Sequence, residues 1–158
     1  MTETTVVYVP VGTATNNNAI AGQIGEFVTA TVAIGAAVAL TTAVASNVTS
    51  ISLTAGDWDI SAVLDHNIAA TTSLTQLNAS ISLTSGALSP QAGGSGLGTD
   101  ATGTASFAAM IPTAGITQAI PLVRLSIAGT TSVFLVAQDA FTVSTISAYG
   151  TLRARRVR

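Results

Sequence analysis

The residues able to do chemistry in this chain are few, and their spacing says what they can attempt. His66 is the sole histidine, with Asp59 and Asp65 beside it in sequence. A histidine among carboxylates is raw material for a metal site or a nucleophilic triad, but both need several groups converging. Strand alternation puts Asp59 and Asp65 on the face opposite His66. His66 is therefore expected to stand isolated, at an interface or in solvent, where a pH-sensitive contact is the one role left to it. Asp57-Trp58-Asp59 sets two carboxylates on one face. Calcium takes six to eight oxygens, and glycoside hydrolysis wants a carboxylate pair astride a cleft. Two acids in a turn, with Trp58 plugging the core, meet neither demand. Gly93-Gly94-Ser95-Gly96-Leu97-Gly98 lacks the lysine and the strand-to-helix setting of a phosphate loop. With no cysteine, thiolate chemistry is absent as well. The chain reads as a non-enzyme with no catalytic residue, no cofactor and no metal site.

The arginines differ in kind. The chain has no lysine, and four of its five cationic residues crowd its end as Arg153, Arg155, Arg156 and Arg158. Continued as a strand from Tyr149, this segment turns Arg153 and Arg155 one way, and Arg156 and Arg158 the other. Guanidiniums dock bidentately on carboxylates, so the segment is expected to fasten the chain across an oligomer interface or onto an acidic carrier. Four arginines are too few for the broad basic face that nucleic acid requires, and no nucleic-acid partner is expected.

The elements that hold these residues read as strands. Alternating, β-branched runs bounded by Gly, Asn and Ser turns recur from Thr4 to Val157, and helix signals are weak. Thr4–Val9 reads as a first strand stopped by Pro10. Residues 1–21 make an N-terminal strand or arm with its loop, and 22–158 a single domain with an exposed loop at 85–103. On the strand Trp58–Ile68, Trp58, Ile60, Ala62, Leu64 and His66 share one face. Ser132–Ser144 is apolar on both faces, which requires cover on both; a neighbouring subunit is the expected second cover, so Phe134 and Val136 join Tyr149 and the four arginines as interface candidates. Phe27–Ala55 is uncharged and long enough to span a bilayer, but its threonines and the lack of flanking Lys or Arg favour two strands joined at Gly35. No membrane partner is expected.

Composition agrees. Only 8% of the 158 residues are charged and 4% are aromatic, while 48% are hydrophobic. About a quarter charged is ordinary. A core of small aliphatic side chains gains from further burial between subunits, and a charge-poor surface suits a protein packed against copies of itself. About eight to ten short strands with frequent turns indicate an antiparallel β-sandwich or barrel.

Gly22-Gln23-Ile24-Gly25-Glu26, Leu53-Thr54-Ala55-Gly56-Asp57-Trp58-Asp59-Ile60-Ser61 and Ala148-Tyr149-Gly150-Thr151-Leu152-Arg153 with the residues after it resemble a recurring type of small bacteriophage and prophage virion protein. Ser132-Val133-Phe134-Leu135-Val136-Ala137-Gln138, preceded by Leu125-Ser126-Ile127-Ala128-Gly129, is similar to the strand-turn-strand of trimeric jelly rolls shaped like tumour necrosis factor and C1q heads. The resemblance implies an all-β jelly-roll homotrimer located in the virion. It implies a capsid decoration (cement) protein bound to the major capsid protein or, as the alternative, a receptor-binding or head module of a fibre or baseplate.

Overall fold

Alternation of apolar and polar residues over nearly every segment folds the chain as two antiparallel sheets packed face to face. The computed structural model describes residues 14–89, 97 and 101–158. Its strands are β1 (Phe27–Val32), β2 (Val38–Ala39), β3 (Ser46–Leu53), β4 (Gly56–Ile68), β5 (Ser73–Ser82), β6 (Thr102–Met110), β7 (Ile116–Ile127), β8 (Thr131–Thr142) and β9 (Ile146–Arg156). One sheet runs β1-β9-β4-β7, with β2 also pairing β9; the other runs β3-β8-β5-β6. The chain is all-β, an antiparallel sandwich.

The inward faces supply the core. β4 contributes Trp58, Ile60, Ala62 and Leu64, β9 contributes Ala148, Leu152 and Ala154, and the second sheet answers with Leu77, Ala79, Ile81, Val133, Leu135 and Ala137, all essentially inaccessible to solvent. β4 and β9 lie so close that a Cβ on Gly150 would stand 2.2 Å from the Val63 carbonyl oxygen, so a glycine is required there. Pro121, which has no amide hydrogen to donate, falls where the β4–β7 register shifts, on the edge strand of the sheet.

Phe27–Ala55 is β1, a 3-10 turn at Ile34–Ala36, β2 and β3. The two strands expected on either side of Gly35 are present. No helix among the described residues is long and apolar enough to cross a membrane. The strand expected at Thr4–Val9 and the glycine run at 93–98, apart from Leu97, lie outside the described residues.

Two expectations are corrected. The stretch 85–103 is not exposed throughout: Ser89, Leu97 and Ala101 are buried, and Leu97 and Ala101 join the hydrophobic core. The Ser89 amide donates to Ser80 Oγ at 2.8 Å and Thr102 Oγ1 donates to the Ser89 carbonyl at 3.1 Å, tying Ser89 to β5 and β6. Val136, expected at a subunit interface, is fully buried within its own chain. The second cover over its part of β8 is intramolecular.

Candidate functional site

Two polar clusters stand on the inward face of β4, at its two ends. At the C-terminal end is His66, with no exposed surface. Its Nδ1 lies 2.8 Å from Asp139 Oδ2 on β8, in the opposite sheet, and its Nε2 lies 2.8 Å from Gln118 Oε1 on β7. Asp139 is equally buried, and its other oxygen accepts the Asn78 amide at 3.4 Å. Asn78 in turn donates to the Gln138 carbonyl and accepts from Thr104 Oγ1, each at 2.8 Å. The expectation of an isolated histidine is thus corrected. Asp59 and Asp65 do point away, as alternation requires, but the partner comes from the other sheet.

The His66–Asp139 pair has the arrangement that orients a catalytic imidazole, in which a carboxylate holds one ring nitrogen. The second nitrogen meets an amide oxygen where a triad needs a nucleophile. Two oxygen partners suit a ring that donates from both nitrogens, and turning the Gln118 amide suits one that donates from a single nitrogen. Either way the cluster ties the sheets together, with both ring nitrogens of the buried His66 engaged. Among the described residues no set of three or more histidine, aspartate or glutamate side chains is placed to hold a metal ion.

At the other end of β4 stands Trp58, directly opposite Arg156 of β9 in the sheet register. The Arg156 guanidinium carbon sits 4.3 Å from the Trp58 ring centroid. Its Nε donates to Glu26 Oε2 at 2.9 Å, Nη1 to the Ala55 carbonyl at 2.6 Å and Nη2 to Thr54 Oγ1 at 2.6 Å. Trp58 Nε1 donates to the Thr54 carbonyl at 2.9 Å. Gly56 makes this possible: it holds φ at +143°, and a Cβ there would stand 2.0 Å from Arg156 Nη1. The Gly22 amide donates to the same Glu26 oxygen at 2.8 Å. That bond, ahead of the Arg156 contacts and against the opposing effect of burial, holds the Glu26 carboxyl below its ordinary range.

The remaining arginines face out. Arg153 and Arg155 are exposed on the outer face of β9. Arg124 of β7 and Arg158 reach Asp57 Oδ2 at 2.9 and 2.7 Å. The Ser126 hydroxyl, then Arg124, and the charges of Arg158 and Arg124 keep the Asp57 carboxyl low against the cost of burial. Asp57 is therefore spent on cations of its own chain, and the carboxylate pair Asp57/Asp59 is divided. Beside it, Phe27, Asp59, Ser61, Leu122, Arg153 and Arg155 line an open groove of about 320 Å³.

The seven residues read from sequence as one interface are not brought together. Arg153, Arg155 and Tyr149 lie on the outer face of the first sheet, and Arg158 joins their end through Asp57. Phe134 is half-buried in the other sheet, while Val136 and Arg156 are inside. Sequence reasoning missed Asp139 and Gln118. The signal was available for the first: Asp139 falls on the inward set Val133, Leu135, Ala137 and Phe141, where an acid needs a partner. No protein-family model, no curated protein and no solved structure matches the chain.

Proposed function

We propose that this chain is a non-enzymatic structural protein of a phage virion, a jelly-roll decoration (cement) protein that sits as a homotrimer on the major capsid protein. The observation that carries this reading is the strand pairing. Apart from the short β2, the eight strands pair as β1 with β9, β3 with β8, β4 with β7 and β5 with β6. That is one long hairpin ribbon, first strand against last and inward to the middle, wound over itself into two four-stranded sheets. Such pairing supports a jelly-roll reading, an architecture of viral capsid and lectin domains.

Surface chemistry supports the same reading. A chain with 8% charged residues loses little by desolvation when copies or a shell cover it. Ile20, Ile24 and Phe27 are exposed on the segment that reaches the arginine end, and Leu122 is exposed beside the groove. Both interior polar clusters are consumed in holding the sandwich together, which suits a part under mechanical load.

Mixing purified protein with expanded, undecorated heads is expected to give saturable binding and heads more resistant to heat. No binding at any salt concentration would remove the proposal. Sedimentation tests the trimer separately. Copy number in purified virions separates decoration, at hundreds of copies, from a fibre or baseplate module, at a few dozen or fewer.

A further inference from the structure

The outer face of the β1-β9-β4-β7 sheet carries every cation of the described residues except Arg156 and His66. Arg124, Arg153, Arg155 and Arg158 gather there against two carboxylates, Asp57 and Asp59. Asp57 is already shared by Arg124 and Arg158. Asp59 lies between Arg155 and Arg124 in the sheet register, yet it closes no ion pair with either among the described residues. Arg153 gives only its Nε, to Ser61 Oγ at 3.1 Å. Both terminal nitrogens of Arg153, which lines the groove, are left without a hydrogen bond or ion pair to any described residue. The Arg155 guanidinium makes no hydrogen bond or ion pair with any described residue.

From this we infer that the groove between Arg153 and Arg155, rimmed by Phe27 and Leu122, binds an extended acidic segment of another protein, with carboxylates at alternate positions. Two residues of a strand span about 7 Å, so alternate side chains of an extended partner repeat at the spacing of Arg153 and Arg155. The free guanidinium ends offer forked donors that match carboxylates. Phe27 and Leu122 offer an apolar surface to the methylene stems of those acidic side chains. Nucleic acid fits less well, since two free guanidiniums beside an unpaired Asp59 carboxylate make a short cationic stretch and no aromatic stacking row. The inference rests on the virion reading only for which protein carries the acidic segment.

The sign of an Asp59 substitution distinguishes the occupants. Asp59 repels an acidic segment, so Asp59→Asn tightens it, whereas a second copy of this chain would use Asp59 as a partner for Arg155 and lose by the change. The probe is a peptide of sequence Val-Glu-Val-Glu-Val, titrated to millimolar concentration into isotope-labelled full-length protein and followed by amide chemical shifts. Shifts are expected to centre on Arg153, Arg155 and Ser61, and the peptide with Gln for Glu is expected to give none. Arg153→Gln and Arg155→Gln should each weaken binding about threefold to fivefold, Asp59→Asn should strengthen it about threefold, and salt should weaken it. Absence of shifts at these residues, equal binding of the Gln peptide, or weakening by Asp59→Asn would overturn the inference. Displacement of the peptide by an oligonucleotide of higher affinity would also overturn it. A groove that binds the peptide in a protein that ignores heads would remove the virion reading alone, and head binding without peptide binding would remove the groove alone.

Discussion

The two ends of β4 solve the same problem in different ways. Trp58 and His66 both face inward, roughly 26 Å apart by the rise of a strand. Each brings a nitrogen donor into a core of small aliphatic side chains. At the Trp58 end the polar partners come from the neighbouring strand and nearby turns: Arg156 lies opposite in register, with Thr54, Ala55 and Glu26 around it. At the His66 end the main partner crosses the sandwich from β8. The first cluster closes one edge of the sandwich, and the second clamps its two sheets. His66 and Asp139 of the clamp have no exposed surface, while Glu26 at the open end keeps some contact with water.

Breaking the clamp has the largest expected effect. His66→Ala strands the Asp139 carboxylate with no exposed surface, and losing one member of a buried pair costs about 3–5 kcal/mol. Urea unfolding should show it as a lower midpoint at unchanged slope. Replacing both, as His66→Leu with Asp139→Val, should recover most of the loss, because apolar packing of similar volume often matches a buried pair. A single variant as stable as the wild type would mean that the clamp carries no net energy.

The open end should give less. Arg156→Gln removes charge-assisted bonds and the ring contact, but Glu26 retains the Gly22 amide and partial hydration. The expected cost is about 2–3 kcal/mol, measured in the same urea series. Arg156→Lys should not restore it, since one ammonium cannot reach Glu26, Ala55 and Thr54 in the plane of the fork. A loss as large as that of His66→Ala would erase the distinction between the two ends.

What was legible in the sequence follows the same division. Period-two alternation gave the inward set of β4 and the opposed directions of Arg155 and Arg156, because both are properties of one strand. It also placed Trp58 in the core. The His66–Asp139 contact was not legible, since it depends on how two sheets stack, and no local pattern encodes that. The inward placement of Asp139 was readable; which partner would meet it was not. The cover over Val136 was missed for a similar reason. The apolar residues on both faces of β8 demanded cover on both, and on the outer face Val136 has it while Phe134 is half-buried; an apolar strand does not say whether its own chain or another supplies that cover.

Acid sharpens the comparison at the arginine end. Glu26 and Asp57 both have folded-state carboxyls held below their ordinary values of 4.5 and 3.8. A depressed carboxyl contributes stability that is present above the ordinary value and lost as pH falls through the lowered one. Glu26→Gln and Asp57→Asn should therefore be less stable than wild type at neutral pH. The gap should narrow as pH drops below about 4.5 for the first and about 3.8 for the second. Thermal melts of the three proteins from pH 7 downward check this, and a gap independent of pH would remove the carboxylates as its source.

The smallest expected effect on stability is at Arg155, and it is the most discriminating because of what lies next to it. Arg155 and Arg156 are adjacent, identical in type and opposite in direction. Arg156 is bonded on every side, whereas Arg155 meets solvent and the groove. Arg155→Gln should change the unfolding free energy by no more than about 0.5 kcal/mol, as exposed substitutions outside special contacts do, while weakening the acidic peptide. Arg156→Gln should do the reverse, lowering stability and leaving peptide affinity at the groove unchanged as long as the protein is folded. That crossed pattern requires both assignments to hold: one arginine kept for the fold, its neighbour left for a partner. If Arg155→Gln destabilised the protein as much as Arg156→Gln, the outer arginine would belong to the fold too, and the groove would lose the free cation on which its chemistry depends.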